Sequence, residues 1–441
     1  MRGGSEIVGI ILTNFPHSNN HCLATVLFFL YAILFLWLIT RLSFFKKIGL
    51  PVLLLISLFS IRILAGVFSC YLSLHYFPVS DSLTFHNISL NENYLLLNQP
   101  KYFFYNLFTD VYHNHFSGLF STTHSFWNNL RMNLIVKSLA VIDIFTLGNF
   151  YTNTLFYNYA VFSGAILLYR ATIPFIQKGK WLLIFGIFLF PSALFFTSGI
   201  QKEGLIILCT GFIFYNFYRL LHAGFTFKRV IGFLSFFTLL FLLRNFTATI
   251  LAPSLLIWVL CHYFPKKKWI ILPSVFVLCI LLFFGAKRIN PSADFPKIVS
   301  ERYIAFDTIS RVSNTYLPMK MLEPDFEGFV RNAPVALQHA IFLPSLPVSL
   351  KTLPFTLELY AVWIFLLFTI WKKRKSGNLP ALFIALGFFS FINIVMIGFT
   401  IPNLGAILRY RSIYLQFVFL CIVGYYNSGT NYGNSLKTGK P

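Results

Sequence analysis

Residues 22–41 read CLATVLFFLYAILFLWLITR, a run with no charged residue before Arg41. A stretch that long and that apolar can cross the hydrocarbon core of a bilayer as a helix, where every backbone N–H and C=O must find its partner within the segment. Comparable runs recur at 49–72, 152–169, 181–199, 203–221, 230–243, 246–264, 269–286, 354–371, 380–400 and 404–425. Eleven spans predict an all-α fold, a polytopic integral membrane bundle built as a single membrane domain over residues 1–441. Their lengths of about 15–24 residues, without strict alternation, argue against the ten-residue strands of a β-barrel. Runs 133–148 and 336–350 are apolar but interrupted, the first by Lys137 and Asp143, the second by Pro344 and Pro347. Both read as re-entrant or interfacial helices.

Composition agrees. The chain is 57% hydrophobic and 11% charged, too little polar surface to cover a water-soluble core. An aromatic content of 19% suits wide interfacial belts. The first apolar run is followed by Arg41, Lys46 and Lys47, not by a small-residue cleavage site, so it reads as a span and not as a removed signal peptide. The six cysteines all lie in apolar stretches without CxxC spacing and read as small buried hydrophobes.

A net charge of +22 would suggest a nucleic-acid partner in a soluble protein. Here the distribution of charge decides, and no nucleic acid is expected. The segments 41–48, 170–180, 219–229, 265–268, 372–379 and the C-terminal tail fall on one side of the predicted bundle. Together they hold eighteen Lys or Arg and no Asp or Glu. Cytoplasmic loops collect cations in this way. The protein is therefore expected in the cytoplasmic membrane with its C-terminus in the cytoplasm. Two large segments then lie outside, 73–151 and 287–353, and the other outer connections are hairpin tips.

This topology carries five polar clusters to the outer boundary: Asp81–Ser82 with His86, Lys202–Glu203, Arg244–Asn245, the mixed charges of 287–331, and Asn403 with Arg409 and Arg411. Arg409 and Arg411 lie five to seven residues inside a span, where an unpaired guanidinium costs roughly 2.5 kcal/mol or more. Two residues apart is about 200° around a helix, so they cannot share one face. Either a carboxylate such as Glu358 or Asp143, or an anionic ligand, must satisfy at least one of them, or it must snorkel outward. Lys202 and Glu203 sit between Gly199 and Gly204, which permits a tight turn or a close backbone approach. The N-terminus of the following helix would add a positive field. An ordinary capped turn remains the competing reading there, as a solvated tip does for Arg244–Asn245. Asp81 either caps a helix or presents a carboxylate that accepts a proton or coordinates a divalent cation. No other cofactor is indicated, and His113, His115 and His124 lack the flanking carboxylates of a metal site. No P-loop, dinucleotide fingerprint, GxSxG or HExxH is present, which argues against nucleotide hydrolysis.

A tightly spaced bundle with an acidic residue near the membrane in a long first outer segment, a second large outer loop and late arginines resembles bacterial membrane enzymes of surface polysaccharide assembly. The stretches PSALFFTSGIQKEG and NLGAILRYR carry the resemblance, best over spans three to seven and the last span. Two branches are similar, the GT-C-type glycosyltransferases and the O-antigen polymerase and ligase-like proteins. Where GT-C enzymes carry an acidic pair in the first outer loop, this chain has Asp81 alone. None of Arg288, Arg302, Arg311 or Arg331 has the glycine eleven residues on that marks O-antigen polymerases. The resemblance implies a polyprenyl-phosphate-linked sugar donor, with its tail among membrane lipids and its head outside. Asp81 would be the general base and Glu203 its substitute. Lys202, Arg244, Arg409 and Arg411, with His86 and Asn403, would hold phosphate and sugar. A lipid-linked-glycan or small-solute transporter, and a non-catalytic assembly subunit, are the alternative functions. The topology has a direct check: single cysteines at Gln201 and Asn403 should label with impermeant reagent from outside intact cells, and those at Lys267 and Lys373 only after permeabilisation.

Overall fold

The computed structural model describes residues 21–77, 80–107, 126–345, 349–372 and 379–427. Those residues are almost wholly helical, and no β-strand longer than one isolated bridge occurs among them. The helices that build the bundle are α1 (His21–Arg41), α2 (Val52–His75), α3 (Asp81–Asn98), α4 (Phe126–Thr146) and α5 (Phe150–Thr172). Next come α6 (Lys180–Ile184), α7 (Pro191–Ser198), α8 (Lys202–Ala223), α9 (Phe227–Leu243) and α10 (Asn245–Tyr263). The chain continues through α11 (Lys268–Ile289), α12 (Phe295–Ser310), α13 (Phe326–Leu337), α14 (Leu353–Lys372), α15 (Ala381–Thr400) and α16 (Leu404–Asn427).

Nine helical segments among the described residues are long and apolar enough to cross a membrane, and they coincide with nine of the eleven expected spans. The other two expected spans are also helices. One of them, α9, has 17 residues. The other, α5, carries Thr152, Asn153, Thr154 and Asn158 in its first half, all buried against neighbouring helices. The two interrupted runs are helical as well: α4 packs along α3, and α13 ends in a π-turn at Gln338–Phe342 that lies against α15 and α16.

The close approach of α5 and α8 fixes the centre of the bundle. Helices in lipid gain little from the hydrophobic effect and associate through close packing of small residues. Here Gly164 faces the backbone of Ile207 and Leu208, and a Cβ on Gly211 would collide with the carbonyl of Gly164. By contrast α11 and α1 bury little of their surface, as peripheral helices in lipid do.

One span is broken. The segment Lys180–Ser198 passes from α6 into a π-turn at Phe185–Leu189, and Pro191 then restarts it as α7. Proline cannot donate to the preceding turn, so backbone groups are freed at a depth where no water can take them. Two side chains do so instead. Gln416 Nε2 donates to the carbonyls of Gly186 and Ile187, both at 2.9 Å. The carboxylate of Glu358 accepts from Ser192 N at 2.6 Å and from Ser192 Oγ at 2.5 Å.

The ends of the bundle differ in charge. At one end Lys178 N donates to Asn427 Oδ1 (2.8 Å), Lys268 Nζ to the Leu379 carbonyl (2.7 Å) and Lys372 Nζ to Tyr426 OH (3.0 Å). Phe175 and His222 also meet there. Four basic segments and the start of the tail thus converge. Residues 373–378 and 428–441 of that set lie outside the described residues. The turns that join α7 to α8, α9 to α10 and α15 to α16 lie at the opposite end.

Packing at Gly211 gives a direct test. Gly211→Ala should force α5 and α8 apart and cost about 1–3 kcal/mol, as overpacking does, read as a lower thermal-unfolding midpoint of the purified protein. Gly285→Ala, on α11 where nothing lies within 4 Å of the new Cβ, should be neutral or mildly stabilising.

Candidate functional site

The stretch SGIQKEG is not a solvated tip. It is wedged between three helices. A Cβ on Gly199 would run into Ser69 Oγ of α2, and one on Gly204 into the hydroxyl of Tyr157 on α5, which itself donates to the Gln201 carbonyl. This is the close backbone approach that glycine permits. It sets Lys202 and Glu203 on the first turn of α8, facing the junction of α9 and α10.

That junction is one residue long. Arg244 stands between the two helices with its guanidinium 4.4 Å above the ring of Tyr410 and its Nη2 2.9 Å from Glu203 Oε1. Arg409 meets the same ring. Its guanidinium lies 4.7 Å from the Tyr410 centroid, its Nη2 donates to Tyr410 OH (2.8 Å), and its Nη1 pairs with Asp81 Oδ2 (3.0 Å). Tyr410 thus meets two guanidinium groups, contacts that its electron-rich ring favours. Asp81 is the first residue of α3. Ser80, and not Asp81, is the N-cap, its hydroxyl accepting from Leu83 N. The carboxylate of Asp81 is thereby free to face Arg409.

Asp81, Lys202, Arg244 and Arg409 line a single cavity of about 370 Å³, together with Arg131 of α4 and Arg302 of α12. Its remaining wall mixes polar side chains, among them Asn245, Thr247, Asn393 and Thr400, with apolar and aromatic ones such as Phe246, Ile250, Phe306 and Met396. Arg302 reaches the cavity across the rings of Phe246 (4.7 Å) and Phe306 (5.7 Å). Its Nε is buried with no hydrogen-bond partner, and it forms no ion pair among the described residues. Loss of water around it and the nearby Arg244 guanidinium push its pKa down to about 10, which leaves it charged at neutral pH. The Lys202 ammonium, 5.2 Å from the Phe85 ring, likewise has no carboxylate within salt-bridge distance.

Five cations therefore face one lining carboxylate, Asp81, with Glu203 behind Arg244 as the second. Lys202 and Arg302 have no carboxylate at salt-bridge distance among the described residues, so positive charge is in excess there. Like charges in a partly dry cavity repel strongly, and an anion is the group that relieves them. Planar guanidinium forks suit phosphate oxygens in particular. The same balance does not fit a divalent cation, for which Asp81 is the one lining carboxylate among the described residues. Among the described residues no group of three or more His, Cys, Asp or Glu could hold a metal. His113, His115 and His124 lie outside the described residues.

Four of the expected site residues stand elsewhere. Glu203 is in direct contact with the site but does not line it: its side chain is 2% exposed, one oxygen on Arg244 and the other buried without a partner. Arg411, on the opposite face of α16 from Arg409, donates from Nη1 to the carbonyls of Ala340 (2.8 Å) and Leu343 (2.6 Å). It closes the C-terminal end of the α13 segment, and neither Glu358 nor Asp143 forms a salt bridge with it. His86 is buried, stacked on Phe150 (4.8 Å) beside Asn153, and burial pushes its pKa down to about 4, so it is neutral. Asn403 caps α16 through Ala406 N (3.0 Å) and holds the 313–317 segment through Ser313 and Thr315. Arg131, Arg302 and Tyr410 line the cavity without having been expected there. The mixed-charge run 287–331 contained Arg302, and NLGAILRYR contained Tyr410, but neither was separable from its neighbours by spacing.

Comparison of the chain with protein-family models, with curated proteins and with solved structures finds no match. The side chains of the cavity therefore carry the functional argument.

The counter-ion role of Glu203 is measurable. Glu203→Gln should leave Arg244 buried without its partner and cost about 3–5 kcal/mol, seen as a large fall in the thermal midpoint. Millimolar pyrophosphate should recover part of it. Glu323→Gln, on the exposed Arg331 pair, should change stability by less than about 1 kcal/mol.

Proposed function

We propose that the chain is a membrane glycosyltransferase or glycan polymerase that takes a sugar from a polyprenyl-phosphate-linked donor. The observation that carries this reading is the cavity itself: five cations and one accessible carboxylate gathered at the end of a helical bundle, remote from the basic loops. In such a transfer the bond from the anomeric carbon to phosphate breaks, and negative charge grows on the phosphate oxygens. Fixed guanidinium and ammonium groups stabilise that charge without a nucleotide. Arg244, Arg409 and Lys202 supply it, with Arg131 and Arg302 completing the ring.

Deprotonation of the acceptor hydroxyl requires a base that touches the cavity. Asp81 does, with a side chain 44% exposed and only Oδ2 engaged by Arg409. Glu203 is separated from the cavity by Arg244, which fits a positioning counter-ion and not a base. The basic segments mark the cytoplasmic side by the positive-inside rule, which puts the cavity at the outer face and the C-terminus inside. Aromatic and aliphatic walls accommodate the start of a lipid tail. A transport pathway draws less support. The broken span is the natural place for a midplane site, yet Gln416 and Glu358 already occupy the backbone groups it frees.

Replacing the wild-type protein in cells with Asp81→Asn or Arg409→Gln should abolish surface-glycan assembly at normal membrane abundance. Loss of a general base costs about 10²–10⁴-fold in rate. Glu323→Gln should assemble glycan normally. Full glycan in both cavity variants would remove this function.

A further inference from the structure

A second cavity, of about 230 Å³, lies at the basic end of the bundle, opposite the first. His222 of α8, His262 of α10 and Lys268 of α11 line it, over an apolar floor that includes Phe175, Trp258 and Leu382. His222 and His262 meet edge to face with ring centroids 4.8 Å apart. The Nδ1 of His222 lies 3.0 Å from the Tyr218 carbonyl, which requires the proton on Nδ1 and leaves Nε2 for another partner. Neither that Nε2 nor the imidazole of His262 has a hydrogen-bond partner among the described residues. Lys268 is anchored to the Leu379 carbonyl, so its ammonium is held at the cavity wall instead of sweeping through solvent.

Positive charge predominates here. No carboxylate lines the cavity among the described residues, and the segments around it hold Arg219, Lys266 and Lys267 with no Asp or Glu. Its outer margin is aromatic: Trp269 is 91% exposed, and Tyr263 and Phe264 are exposed beside it. Exposed aromatic rings next to lysines mark the headgroup level of a bilayer, and α11, which forms one wall, buries almost none of its surface against the protein. An apolar floor, hydrogen-bonding imidazoles and an ammonium at that level match a phosphodiester carried on a glycerolipid.

We infer that this cavity binds the headgroup of an anionic phospholipid from the leaflet at the basic end of the bundle. Imidazole and ammonium groups meet the phosphodiester oxygens, and Phe175, Trp258 and Leu382 meet the glycerol and the first acyl carbons. The site is independent of the proposed transfer reaction, because it shares no residue with the first cavity.

The test is native mass spectrometry of the detergent-purified full chain with dioctanoyl phosphatidylglycerol, dioctanoyl phosphatidylcholine and inorganic phosphate as probes. The anionic lipid should bind about fivefold or more tightly than the zwitterionic one, on the scale of one basic side chain at a membrane surface. Lys268→Gln and His262→Gln should each remove most of that preference, and Arg409→Gln in the first cavity should leave it intact. His262→Gln alone decides the matter should Lys268→Gln fail to fold. Equal affinity for the two lipids, or an unchanged preference in His262→Gln, overturns the inference. Displacement of the lipid by millimolar inorganic phosphate also overturns it, since free phosphate would then be the ligand.

Discussion

Five positive side chains in one cavity repel one another, and the fold must hold them there. It does so with two carboxylates and with aromatic faces. Asp81 and Glu203 each take one guanidinium, at 3.0 and 2.9 Å, and the Tyr410 ring meets both of the guanidiniums so engaged. Phe246 and Phe306 cradle Arg302, and Phe85 lies beside Lys202. Aromatic rings offer partial negative charge without becoming anions. They can steady a cation and still leave it able to meet a ligand. A carboxylate at each cation would have produced a neutral, self-satisfied core. The excess of positive charge is therefore a property of which partners the sequence places there, and not merely of how many arginines it holds.

The last helix ties this site to the rest of the bundle. Arg409, Arg411 and Gln416 all lie on α16 and point to different neighbours. Arg409 joins Asp81 at the cavity, Arg411 closes the end of the α13 segment, and Gln416 satisfies the π-turn in the broken span. Each contact neutralises a polar cost that the membrane interior would otherwise impose. In α16, then, structural and candidate functional side chains alternate within about two turns. Arg409 and Arg411 have the same chemistry and nearly the same depth, and only their angle around the helix sends one to the cavity and the other to backbone carbonyls.

That angle explains what the sequence could and could not say. Apolar run lengths placed the spans, because in lipid length and backbone satisfaction leave few options. The tally of basic residues sorted the connections into a basic and a mixed-charge set, since helices that alternate in direction must sort their connections, and four of the basic segments meet at one end. Convergence of Asp81, Lys202, Arg244 and Arg409 was legible from depth alone. Membership of the lining was not. His86 and Asn403 share the depth of the cavity, but buried stacking on Phe150 and capping of α16 claimed them, and both are local demands invisible to a reading by depth. Arg131 and Arg302 arrive from segments without a transmembrane period, where nothing in the sequence fixes direction.

The bundle's two cavities also differ in a way that bears on what each can bind. The first has guanidiniums fixed by carboxylates and rings, a lining carboxylate of its own, and buried donor atoms without partners. Such preorganised charge acts most strongly on a group whose charge changes, because the protein need not rearrange as the charge develops. The second has imidazoles, one ammonium and no carboxylate, beside exposed aromatic rings at the bundle's margin. It suits a permanent anion that need only be held. A fixed site for charge that develops at one end, and a holding site for charge that does not change at the other, follow from the same helices, because α8 and α10 contribute to both cavities from their opposite ends.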